Sequence, residues 1–188
     1  MSDDVKQLVS RCLAGDQAAM VEFVDRYRGR VFGLCYRMLG QRQDAEDMAQ
    51  ETFVRALRSL ARWDSERDLE PWLLAIAGNR CRTMLASRSR RPQPTPLYDG
   101  VPDRTPDQLS AEHLDEEVQL ALQSIRAEYR QAFTMFHESE LSYAEISEAM
   151  ECPVGTVKTW IHRARNQLIE QLANRGVVQE SRDAVRQI

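Results

Sequence analysis

A chain of 188 residues, 43% hydrophobic and 29% charged with a formal net charge of −4, can bury a core, which excludes a disordered polymer. No apolar run approaches the roughly 20 residues that span a bilayer, and the opening MSDDVKQLVSRC lacks a signal peptide's basic and apolar segments, so a cytoplasmic protein without membrane insertion is expected. Four scattered cysteines (Cys12, Cys35, Cys81, Cys152) and three isolated histidines give no short-spaced ligand set; reduced, partly buried thiols are expected, with no metal and no cofactor.

The net charge hides a division. Residues 1–91 sum to +3, residues 92–116 to −5 and residues 117–188 to −2. An acidic total therefore leaves room for a nucleic-acid partner, because local patches set the field that a phosphate feels.

In chain order, the first predicted helix has Asp16 as its N-cap and Gly40 as its stop, with Met20, Phe23, Val24, Tyr27, Val31, Leu34, Cys35 and Met38 at three- and four-residue intervals. The second places Ala45, Met48, Ala49, Thr52, Phe53, Ala56 and Leu60 on one face. Asp44, Asp47, Gln50 and Glu51 project from the opposite side, either as a solvated row or as a receiver for a basic protein surface. Catalysis explains these acids poorly, since no nucleophile, phosphate loop or metal set accompanies them, and no enzyme is expected. A third helix begins near Pro71 and runs through WLLAIAGNRCRTMLASRSRR. Its end carries Arg80, Arg82, Arg88, Arg90 and Arg91, suited to phosphate or to a solvated helix terminus. Trp63 and Trp72 bracket the polar loop DSERDLEP, where an indole either stacks on unpaired bases or anchors the loop.

Five of the seven prolines fall in RPQPTPLYDGVPDRTP, which reads as an extended linker. The chain divides into a helical domain at 1–91, a linker at 92–116, a second helical domain at 117–176 and a tail at 177–188. In the second domain Val118, Leu122, Ile125, Tyr129, Ala132, Phe133 and Phe136 share one helical stripe. Ser142 and Glu145 then have the spacing of a capping box, and the turn ECP leads into PVGTVKTWIHRAR. On that last helix Val157, Ile161, Ala164, Leu168 and Leu172 form the apolar stripe. Thr159, His162 and Arg163 fall opposite, flanked by Thr156 and Lys158, with Gly155 at the start where backbone can approach a phosphate. This is the layout of a groove-reading helix, the competing assignment being a solvated surface face. The expected fold is all-α: two small helical domains joined by a Pro-rich acidic linker, the C-terminal one carrying a helix-turn-helix.

With these motifs in this order, the chain resembles bacterial sigma factors of the extracytoplasmic-function (ECF) type. DAEDMAQETFVRAL resembles the family's polymerase-binding helix, EPWLLAIAGNRCR its −10-reading segment, and LSYAEISEAMECPVGTVKTWIHRARNQL its −35-reading helix-turn-helix. The resemblance implies a factor that binds core RNA polymerase and directs promoter-specific initiation, with an anti-sigma factor as a further partner. It assigns polymerase contact to Asp44, Asp47, Gln50 and Glu51. It assigns −10 DNA to Trp72, Asn79, Arg80, Arg82 and the loop from Asp64 to Glu70, and −35 DNA to Gly155, Thr156, Lys158, Thr159, His162 and Arg163. Thr159 and Trp160 depart from the family's usual Ser-Arg, and Trp160 is expected to pack inward. A free-standing helix-turn-helix regulator that binds duplex DNA without polymerase is the alternative.

Overall fold

A computed structural model describes residues 3–90 and 111–178, and among these residues the chain forms α-helices with one 3-10 turn and no strand. Helix α1 (Asp3–Leu13) precedes the first helix expected from the sequence; its Leu8, Val9 and Cys12 make only a short apolar stripe. Helix α2 (Gln17–Leu39) begins where Asp16 accepts from the N–H groups of Ala18 and Ala19, at 2.9 and 3.2 Å. It stops at Gly40, whose left-handed φ of 77° lets its N–H reach the Tyr36 carbonyl at 2.8 Å. Helices α3 (Arg42–Ser59) and α4 (Leu69–Ser89) follow, with the 3-10 turn Leu60–Arg62 after α3. Pro71 is the third residue of α4, inside the first turn where a missing N–H costs nothing.

The stripe from Val118 to Phe136 makes two helices, α5 (Ala111–Ser124) and α6 (Ala127–His137), not one. The helix breaks at Ile125 and Arg126, and the Arg130 guanidinium donates to the freed carbonyls of Gln123 and Ile125 at 2.8 and 2.9 Å. Apolar period alone carries no trace of that capping. Because α5 starts at Ala111, residues 111–116, assigned to the linker, are helical; 92–110 lie outside the described residues, as does most of the tail. Helix α7 (Tyr143–Ala149) opens with the capping box in place: Ser142 accepts from the Glu145 N–H at 3.2 Å and the Glu145 carboxylate accepts from the Ser142 N–H at 2.7 Å. Helix α8 (Val154–Asn174) completes the chain's described order.

Helix α2 packs on α3 and α4, and Phe23, fully buried, meets Phe53 edge-on at 6.1 Å. This core does not end at the first block. Met135, Leu141, Ile146, Ala149 and Met150, from α6 to the end of α7, join the same apolar cluster, so α4 is covered by α2 and α3 on one side and by α6 and α7 on another. A second cluster ties α5 and α6 to α8 through Leu122, Ile125, Tyr129, Ala164, Leu168 and Leu172. The carbonyls at the end of α2 are capped from the other block. Tyr36 accepts from Gln119 at 2.9 Å, Arg37 from Gln123 at 3.0 Å, and Met38 from Arg130. Arg130 is buried with no carboxylate partner; its charge faces the negative ends of α2 and α5, while burial lowers its pKa to about 10.

Candidate nucleic-acid interface

Helix α8 buries Val157, Ile161, Ala164, Leu168 and Leu172 and leaves Gly155, Lys158, Thr159, His162 and Arg163 exposed, with Thr156 half-buried. Trp160 is half-buried against both apolar clusters, its ring 6.2 Å from that of Tyr129. A side chain at Gly155 would meet nothing within 4 Å, so packing inside the chain does not demand the glycine. The polar face is partly pre-arranged. Arg163 donates to the Tyr129 hydroxyl at 2.9 Å, Lys158 lies 5.4 Å from the Tyr143 ring, and Thr159 donates to the Gly155 carbonyl at 2.8 Å. The Arg163 hydrogen bond lowers the Tyr129 hydroxyl's pKa. His162 sits 3.2 Å from the Asn166 amide, on the same outward face.

The acidic row of α3 splits in two. Asp47 and Gln50 are exposed, whereas Asp44 pairs with Arg88 at 2.6 Å, its side chain only 13% exposed. Glu51 accepts from Arg80 and Arg55, both at 2.9 Å. Burial pushes the Glu51 carboxyl up, but hydrogen bonds from Arg80 and Arg55 outweigh it and hold the pKa below the ordinary value. The Glu51–Arg80 and Asp44–Arg88 pairs join α3 to α4, so Arg80 and Arg88 are held by the fold, and Arg82 donates to the exposed Asn79.

Two depressions meet beside Asn79. A cleft of about 370 Å³ is lined by Trp63, Trp72, Arg67 and Asn79 and, from α7, by Glu145 and Glu148. Trp63 is 8% exposed, its indole N–H without a partner, and Trp72 is half-buried, so the first indole is chiefly a wall and the second is the more accessible. A groove of about 560 Å³ between α3 and α4 is lined by Arg55, Arg58, Arg62, Asn79 and Arg80, and it shares Arg62, Ile76 and Asn79 with the cleft. Sequence reasoning passed over Arg55, Arg58 and Arg62. The signal was their spacing, which puts three cations along one edge of α3 and the following turn.

A helix-turn-helix with an open polar face in one block, and an arginine-lined groove beside an indole-walled cleft in the other, define a two-part nucleic-acid-binding protein. Comparisons with known proteins agree. Sigma-70 region 2 matches residues 23–91, and Sigma-70, region 4 matches residues 115–168. The chain is 33% identical over 184 residues to the ECF RNA polymerase sigma factor SigW of Bacillus subtilis (strain 168), covering 89% of this chain and 96% of that protein. It is 31% identical over 182 residues to the RNA polymerase sigma-H factor of Pseudomonas aeruginosa, covering 89% and 93%. The chain belongs to the ECF RNA polymerase sigma factors, a membership that does not favour the free-standing regulator. Its fold is similar to that of the sigma factor RpoE solved with the anti-sigma factor NepR from Bartonella quintana, at a TM-score of 0.65, 25% identity, and coverage of 80% of this chain and 94% of the other. CnrH, solved with the cytosolic domain of CnrY, is similar in fold at a TM-score of 0.65 and 22% identity, over 89% of this chain and 96% of that one. Among the described residues no helix is long and apolar enough to cross a membrane.

Proposed function

We propose that this sigma factor acts in the cytoplasm, joins core RNA polymerase through the exposed part of α3, and places promoter DNA on α4 and α8. Asp47 and Gln50 form the accessible polymerase contact, with Glu51 at its edge and Asp44 supporting the helix from within. Asn79 and Trp72 face unpaired −10 bases, while Arg62, Arg58 and Arg55 run along the strand's phosphates. Gly155 and Thr156 approach −35 phosphates; Lys158, Thr159, His162 and Arg163 face the duplex. The observation that carries this is the pairing, in one chain, of an open helix-turn-helix face with a second, separate arginine groove. Each contact is weak alone and gains affinity when polymerase holds both at fixed spacing. The factor supplies specificity and strand capture and has no catalytic chemistry of its own. An anti-sigma factor is a proposed regulator, since RpoE, similar in fold, was solved with the anti-sigma factor NepR.

Mapping transcription starts on genomic DNA with core polymerase plus the purified chain tests the proposal. New starts that depend on the chain are expected. Asp47→Arg should lose most of them through weaker polymerase binding; no chain-dependent starts and no complex with wild type would refute it.

A further inference from the structure

Each flank of the open face of α8 carries a cation resting on a tyrosine. Lys158 lies 5.4 Å from the ring of Tyr143, on α7, and the Arg163 guanidinium lies 5.9 Å from the ring of Tyr129, on α6. Five residues carry an α-helix about 140° past a full turn, so these two cations stand on opposite flanks of the face that presents Thr159 and His162. The flanks are built differently. Tyr143 stacks on Phe136 at 4.8 Å, whereas Tyr129 meets a second cation, the guanidinium of Arg126 at the N-cap of α6, 5.6 Å from its ring.

Tyr129 is 8% exposed and backed by the ring of Trp160 at 6.2 Å, so the phenol is a fixed post. Its hydroxyl accepts from Arg163 Nη1 at 2.9 Å. That bond, with a smaller contribution from Arg126, holds the hydroxyl's pKa below its ordinary value, so both guanidinium groups act on one oxygen. Trp160 brings no charge to this flank; Arg163 and Arg126 do. Gathered on one ring, the two cations repel each other, and Glu128 balances one of them by accepting from Arg126 Nε at 2.9 Å. The Arg126 side chain is 66% exposed, so the pair adds little to stability. Two cations against one carboxylate leave a positive site. Each contact also takes a single nitrogen of a five-donor guanidinium, so most of the N–H groups stay uncommitted among the described residues. Two forks converging beside a hydroxyl suit the oxygens of a phosphodiester.

We propose that Arg126 and Arg163, set on Tyr129, clamp one backbone phosphate of duplex DNA at the edge of the α8 face, with Arg126 the contact supplied from outside the groove-reading helix. The convergence of the three side chains belongs to the chain by itself. That the phosphate lies in −35 DNA rests on the sigma-factor reading.

A phosphate carries no base identity, so the clamp's contribution is blind to sequence and sensitive to salt. Fluorescence anisotropy with a labelled duplex of randomised sequence, followed across a KCl series, reads it on the full chain alone and on its complex with core polymerase. Arg126→Ala should weaken binding about tenfold, the lower end for a hydrogen bond to a charged group, and reduce the salt slope by about one, with the urea midpoint unchanged. Arg126→Lys should keep the slope and recover part of the affinity, because the ammonium retains the charge but not the fork. Tyr129→Phe keeps the ring and removes the hydroxyl, so it should weaken the wild type yet add nothing to Arg163→Ala. With core polymerase, promoter duplexes carrying one neutral methylphosphonate at a time in the −35 half should show one position that weakens wild type about tenfold and leaves Arg126→Ala unaffected. Arg126→Ala with wild-type affinity and slope would overturn the clamp, as would a lower urea midpoint, a loss confined to particular sequences, or the absence of any such masked phosphate. No duplex binding by wild type in either setting would overturn it too. Wild type that binds random duplex but directs no initiation with core polymerase would instead sink the sigma-factor reading, and the anisotropy arm would still decide the clamp.

Discussion

Asp44 and Asp47 are both acids on the polar side of α3, and three residues separate their fates. Asp44 turns toward Arg88 and is largely buried; Asp47 faces solvent, with only a long 3.4 Å contact from Gln43. Asp44→Ala should destabilise the chain by about 2 kcal/mol, within the range for a hydrogen bond to a charged group, read as a lower urea midpoint. Asp47→Ala should leave the midpoint unchanged and lower polymerase affinity. Arg163 carries a similar double tie, since its guanidinium is already engaged by Tyr129. Arg163→Ala should reduce promoter use about tenfold, within the range for a base or phosphate contact, without changing polymerase affinity. Equal loss of both would place Arg163 in the fold instead.

At the scale of the element, α7 is the helix most dependent on its ends. Seven residues form too short a helix to stand on propensity, and its capping box supplies both donors and acceptors at the start. Ser142→Ala should cost about 1 kcal/mol in denaturant unfolding, and the loss should loosen the turn into α8. Helix α4 shows the opposite case. Leu73, Leu74, Ala77 and Cys81 are fully buried and Trp72, Ala75 and Ile76 half-buried, so apolar residues run around much of its circumference. A helix of this kind needs partners on more than one side, and α2, α3, α6 and α7 provide them.

Across the whole molecule, the two blocks meet through carboxyls that burial has perturbed. Burial raises the Glu138 carboxyl above its ordinary 4.5 despite Arg37 at 2.7 Å, and burial raises Glu70 likewise despite Arg30. For a raised carboxyl the folded form binds the proton more tightly, so the stabilisation is full below 4.5 and is lost as pH rises through the higher folded value. Scattering across this range should show the most compact particle at the acid end, and a particle that tightens with rising pH would contradict the packing of Glu138 against α2.

Much of this was legible along the chain. The cap at Asp16, the stop at Gly40, the box at Ser142 and Glu145, and the stripe of α8 are local chemistry, in which a side chain satisfies a backbone within a few residues or repeats at the helical period. The order of motifs sufficed to imply the family. What lay beyond it depends on residues far apart in number. The break between α5 and α6 is stabilised by Arg130, which also caps α2; Asp44 is withdrawn by Arg88; and Arg55, Arg58 and Arg62 become a groove only when α4 lies beside them. Sequence by itself determined most of the helices and the caps at Asp16, Gly40 and Ser142, because those follow from short-range hydrogen bonding and periodicity. Only the tertiary structure decided which charges are spent internally and that α7 lines the cleft beside Asn79, because burial and long-range pairing exist only once the helices are packed.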